Sequence, residues 1–193
     1  MASITSLPSG VSGSSLVLIS EQTASSSATI DFTSGIDSTY KEYIFKFTDV
    51  HPATNDTTLG FQGNAAGGSG FNETITSTHF ISQHAEGDGE ATLEYRAAAD
   101  QAQGTSFQIL TAGTGNDNDQ SCSGYLHLFN PSSTTFVKHF IATVNSAHAS
   151  DYSIESHIAG YFNTTSAIDE IQFKMSSGNI DAGTIKLYGI KDS

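Results

Sequence analysis

Tryptophan is absent from this chain of 193 residues, cysteine occurs once, proline three times, and lysine and arginine together only seven times. Each scarcity excludes something. With Cys122 alone, no intrachain disulfide can form, and a catalytic thiol would need a base and an electropositive setting that no sequence neighbour supplies. The cations are scattered singly from Lys41 onward, so no basic stripe exists to neutralise phosphates. Neither nucleic acid nor an anionic membrane surface is an expected partner. No apolar run approaches the roughly 20 residues of a membrane span. The run "LVLI" is also too short for the apolar core of a secretion signal, and the sequence therefore reads as made in the cytoplasm. Without Trp, a sugar-stacking platform loses its strongest ring, although seven Tyr remain.

What is present is acid and small polar residues. The formal net charge is −13, yet charged residues make up only 14% of the chain, against about 25% in an average domain. Ser, Thr, Asn and Gly must therefore supply the polar surface, which suits exposed strands and polar turns. The length fits one domain. Residues 1–15, "MASITSLPSGVSGSS", read as a flexible N-terminal arm that either lies on its own domain or grips a neighbouring subunit, and 16–193 as a single domain.

Short apolar runs bounded by turn residues recur along that domain: 15–20, 27–32, 42–47, 58–63, 74–82, 106–110, 124–129, 135–144, 156–162, 170–175 and 184–190. In "EYIFKF" Tyr43, Phe45 and Phe47 point one way and Glu42, Ile44 and Lys46 the other. This period-2 pattern, rich in aromatic and β-branched residues, predicts an all-β chain: an antiparallel, jelly-roll-like β-sandwich with at most one short helix. That helix is placed at "EATLEYRAAADQ" (90–101), where Leu93 and Ala97 share a helix face, although Leu93, Tyr95 and Ala97 also alternate as in a strand. The last two runs, joined by "SSGNIDAG", read as a hairpin that ties down the end of the chain.

Candidate chemistry is thin. His79 and His84 lie near Glu86, Asp88 and Glu90, but zinc needs three or four converging ligands, and His79 shares a strand face with Ile75 and Ile81. His127 and His139 sit inside apolar strands and read as hydrogen-bonded core or interface histidines, with a pH-sensitive interface as the consequence to test. "NDNDQ" (116–120) offers oxygen ligands without the Gly and Glu of an EF-hand loop. The sequons at Asn55, Asn72 and Asn163 are what an Asn- and Thr-rich chain produces by chance. No nucleophile elbow, zinc-protease helix or phosphate loop occurs. The sequence nominates no catalytic, cofactor-binding or metal-binding residue, no cofactor, and no enzyme activity.

Three stretches carry a resemblance. They are the turn "NPSSTT" before a long strand (Asn130 to Thr135), "GYFNTTSAIDEIQF" (Gly160 to Phe173), and the ending "SGNIDAGTIKLYGI" (Ser177 to Ile190). "YKEYIFKFTDV…LGFQGN" (Tyr40 to Asn64) adds an opening strand pair. Over residues 40–64 and 123–191 the chain resembles small β-sandwich virion proteins of tailed bacteriophages. "GYF" stands where such proteins often have Trp, so no Trp-based contact is carried over. The resemblance implies a virion structural protein without catalytic residues. It is expected on the outer surface of the particle as a capsid decoration (cement) protein, a homo-oligomer such as a trimer, partnered by the major capsid protein or other virion proteins. The alternative is a tail-fibre or receptor-binding module that recognises host glycans through loops 64–72 and 113–120.

Overall fold

In the computed structural model, which describes residues 15–191, each of the eleven runs contributes a strand, and two further strands bring the number among the described residues to thirteen. These are β1 (Leu16–Thr23), β2 (Ile30–Phe32), β3 (Glu42–Pro52), β4 (Leu59–Ala65), β5 (Ile75–Ala85), β6 (Ala91–Tyr95) and β7 (Ala102–Gly104), then β8 (Gln108–Ile109), β9 (Cys122–Phe129), β10 (Lys138–His148), β11 (Tyr152–Phe162), β12 (Ile168–Met175) and β13 (Ile180–Ile190). Except for Ser15, the N-terminal arm lies outside the described residues.

The strands form two antiparallel sheets packed as a sandwich. The larger has nine strands in the order β1-β13-β3-β9-β10-β11-β5-β6, with β7 also on β5; the smaller has four, in the order β2-β12-β4-β8. The inner rows are those read from the alternation: Tyr43, Phe45 and Phe47 of β3 and Ile171, Phe173 and Met175 of β12 are all buried. Phenylalanines join the layers. Phe173 meets Phe45, Phe47 and Phe32 edge-on, at 5.2, 5.3 and 6.1 Å between centroids. Phe61 of β4 in turn meets Phe140 of β10 and Phe162 of β11 at 5.0 and 6.0 Å. Edge-to-face geometry at these distances adds to the burial of each ring.

Two expectations need correction. The segment 90–101 is not helical. Residues 91–95 pair with β5, from Phe80↔Tyr95 to His84↔Ala91, and a tight turn follows in which Ala99 N–H donates to Arg96 O at 2.9 Å. All five residues of β6, Leu93 among them, are exposed, so the core does not take up the apolar side chains of this segment, whereas the β5 edge offers backbone partners. The chain end is not a hairpin either. β12 pairs with β2 and β4, and β13 with β1 and β3, so the last two strands lie in opposite sheets and face each other across the core. β3 and β4 are related in the same way. The last strand does join a sheet begun early in the chain, as β13 lies between β1 and β3.

The long excursion from β6 to β8 is held by two buried glutamines. Gln62 Nε2 donates to Glu73 O, Thr105 O and Ser106 O at 3.0–3.2 Å. Gln108 Nε2 donates to Ala99 O at 2.9 Å, and its Oε1 accepts from Ser77 Oγ at 2.6 Å. Buried amides with their partners in place fix a loop that has little apolar surface of its own.

Candidate interaction face and polar cleft

The same alternation that fills the core puts a second set of side chains on the outer face of the large sheet. One row runs in register across seven strands: Leu18, Tyr188, Ile44, His127, Ile141, Ala159, Thr78. The next runs Glu21, Lys186, Lys46, Tyr125, Thr143, His157, Phe80, Tyr95. Leu18, Tyr125, Ile141, Phe80 and Tyr95 are between 41% and 54% exposed, and Phe80 stacks on His157 with centroids 4.9 Å apart. The single carboxylate in the two rows, Glu21, is bridged to Lys186 at 3.1 Å. Two further carboxylates on this face, Glu42 and Glu155, lie against His127 and His157. Beside the rows, small Ala159 and Gly160 leave a hollow of about 430 Å³ between His139 and Ile141 on one side and Thr76 and Thr78 on the other. A second hollow, about 520 Å³, adjoins it past His139 and includes Phe129 and Phe136. An apolar sheet face with hollows of this kind can seat side chains of another protein.

The histidines fall into different environments. His127 Nδ1 is hydrogen-bonded to Glu42 Oε1 on the neighbouring strand, in line with the sequence reading. His139 is exposed on the outer face and meets Tyr161 with centroids 5.8 Å apart; it belongs to the outer face and not to the core. His84 is exposed and 3.3 Å from Asp88, while His79 is buried in the inner row with Ile75 and Ile81, so β5 sends the two to opposite sides. Among the described residues, no three His, Cys, Asp or Glu side chains are placed to share a metal ion. Cys122 is 1% exposed, and burial pushes its thiol up to about 12. The "NDNDQ" loop is pinned, with Asn116 N–H donating to Asn55 Oδ1 and Asn116 Nδ2 to Ala53 O, both at 3.2 Å. Asn163 Nδ2 donates to Gln103 Oε1 at 2.6 Å.

A polar cleft of about 290 Å³ opens where the β5 side of the large sheet meets β8 of the small one. His79 lies at its floor, Arg96 and the 97–99 turn on one wall, Ile109 to Gly113 on another, and Asp56 and His148 at the rim. His148 Nδ1 accepts from Ser150 N–H at 3.0 Å, which leaves the proton on Nε2, 3.9 Å from Asp56 Oδ1. Gly113 makes that approach possible: a Cβ there would lie 2.4 Å from Asp56 Oδ1 and 2.5 Å from His148 Nε2. His79 is 1% exposed, and neither of its ring nitrogens has a hydrogen-bond partner. Burial is the main cause that lowers its pKa from 6.5 to about 4; the nearby Ala99 carbonyl opposes this but does not complete a hydrogen bond.

The sequence missed Lys138. It is fully buried, with Nζ donating to Phe136 O at 2.7 Å and Thr164 O at 3.0 Å. Burial lowers its pKa, and Glu73 opposes that. The signal was in "TFVKHFIATV": in strict alternation Lys138 shares the inner face with Phe140, Ala142 and Val144.

No protein-family model matches the chain, and neither a curated protein nor a solved structure is significantly similar to it.

Proposed function

We propose that this protein is a structural component of a bacteriophage virion, most simply a capsid decoration protein that binds the shell through the outer face of its nine-stranded sheet and acts by contact alone. The observation that carries this reading is the pair of registered rows on that face, in which exposed apolar and aromatic side chains stand among two lysines, two histidines and one bridged carboxylate. The resemblance over residues 40–64 and 123–191 supplies the virion setting. A protein that binds an assembled shell and not its dissociated subunits stabilises the shell by mass action, with no chemistry required. Symmetric shells also favour symmetric attachments such as trimers.

The test is the copy number in purified virions, by quantitative mass spectrometry against the major capsid protein, followed by addition of the protein to stripped shells. Copy numbers comparable to the capsid protein and a rise in shell heat resistance are expected. A handful of copies per particle would move the protein to the tail. There the second reading, a receptor-binding module for host glycans, takes its place.

A further inference from the structure

We infer that residues 1–14 seat on their own domain, with Leu7 and Val11 in the hollow walled by Phe129 and Phe136 at one end of the outer face. The inference concerns the isolated chain and stands apart from the virion reading. Three observations carry it. The first is where the described chain starts. Ser15 O accepts from Lys191 N–H at 2.8 Å, so the root of the segment is pinned at the head of β1. From there one register row runs Leu16↔Ile190↔Glu42↔Phe129 and ends at the hollow. Three strand spacings separate Leu16 from Phe129, about 14 Å. Val11 precedes Leu16 across a Gly- and Ser-rich stretch, and such a stretch has a root-mean-square span of about 12 Å at this length. Leu7 can extend to about 30 Å from Leu16, enough to cross the hollow to its far wall.

The second observation is that the walls of this seat are pinned. They belong to the loops on either side of β10 and β11, and Lys138 ties the loops together: its Nζ donates to Phe136 O at 2.7 Å and to Thr164 O at 3.0 Å. Pro131 O accepts from Ile168 N–H at 2.9 Å, and Ser133 Oγ from Phe136 N–H at 3.0 Å. The Phe136 ring nonetheless stands 67% exposed beside a hollow of about 520 Å³. A pre-organised apolar surface of this kind takes up an apolar segment at little ordering cost of its own. The third observation is charge. All twenty carboxylate side chains of the sequence lie from Glu21 onward, and residues 1–14 carry no charged side chain. Among the lining residues of the hollow, His139 is the one titratable group. An uncharged segment therefore meets a nearly uncharged seat, and no charge loses its water. A tether this short holds the segment over its own hollow at about millimolar effective concentration, which a second copy at micromolar concentration does not match. The hollow over Gly160 and the two outer rows stay open to a partner.

The experiment uses the full chain, free of any particle, with a nitroxide attached at Ser9→Cys. Cys122 is 1% exposed and stays unlabelled. Isotope-labelled chains that carry the nitroxide, diluted with unlabelled wild type, should selectively lose the amide signals of Phe136, Val137 and Thr165, relative to the same sample with the nitroxide reduced. The signals of β6, at the opposite edge of the sheet, should persist. Isotope-labelled chains without the nitroxide, mixed with unlabelled chains that carry it, should keep all of these signals. The pair Leu7→Asp and Val11→Asp, and separately Phe136→Ser, should each restore what the first sample loses. The arm pair changes no described residue, so it keeps the test valid should Phe136→Ser fail to fold. The inference is overturned if the first sample shows no selective loss, or if the loss survives the substitutions. It is also overturned if the loss appears in the mixed sample, because the segment of a second copy then fills the hollow. Because no particle is present, failure here is separate from failure to bind a shell.

Discussion

Phe173, on the small sheet, meets Phe45, on the large one, with ring centroids 5.2 Å apart and planes at 63°. The same ring also touches Phe47, Phe32 and Phe61, so one side chain joins β12 to β2, β3 and β4. Replacing it with Ala should cost about 3–5 kcal/mol, since the rings around it belong to two sheets and cannot all close on the cavity. The check is urea denaturation, in which the midpoint should fall with an unchanged slope. A loss below about 1 kcal/mol would mean that the sheets do not depend on this ring.

Lys138 gives a paired prediction. Lys138→Ala removes a buried stem and leaves the Phe136 and Thr164 carbonyls without their donor, and it should cost about 3 kcal/mol or more. Lys138→Met keeps most of the volume and loses only the charge and hydrogen bonds, so it should cost less by at least about 1 kcal/mol. Equal losses in thermal denaturation would show that the buried stem contributes nothing beyond the ammonium and its hydrogen bonds.

These two residues also show what could be read in advance. Phe173 was legible, because period 2 in "EIQFKM" puts it on an inner face. Lys138 obeyed the same period, but a lysine between Val137 and His139 looks like a surface residue until its carbonyl partners are known. Those partners come from loops far from Lys138 or irregular in shape, and spacing carries no information about them. The cleft was hidden for the same reason: Asp56, His79, Arg96 and His148 meet only once β5, β10 and two loops are placed. The terminal strands erred in another way. Alternation assigns each strand a buried face but does not say whether two neighbours in sequence pair by hydrogen bonds or face each other across a core. Here four residues, Ser176 to Asn179, connect the sheets, and about 13 Å of extended chain suffices for a gap near 10 Å.

His79 makes a prediction in pH. Burial lowers the pKa of its imidazole in the folded chain to about 4, against 6.5 for an imidazole free in water. Between those values the unfolded state binds more protons, so stability falls as pH falls through that window and is fully present above it. The total effect is on the order of 3 kcal/mol. His79→Phe should abolish this contribution, visible as a smaller difference in urea midpoint between neutral pH and the lower end of the window. If wild type and variant lose the same stability on acidification, the imidazole takes up its proton equally in both states and the burial argument fails.

The outer face makes the prediction closest to function. Ile141 is 49% exposed, sits mid-sheet between His127 and Ala159, and borders the hollow over Gly160. A charge there meets solvent in the free protein, so Ile141→Glu should change unfolding free energy by no more than about 0.5 kcal/mol. In a complex that covers this face the same carboxylate is buried without a partner, which costs several kcal/mol. Self-association in sedimentation, and binding to stripped shells, should therefore drop by about a hundredfold or more while thermal unfolding stays in place. Phe136→Ser, at the far rim of the adjoining hollow, should act more weakly. If Ile141→Glu binds shells and self-associates like wild type, the nine-stranded sheet is not the attachment face, and the decoration reading loses the observation on which it stands.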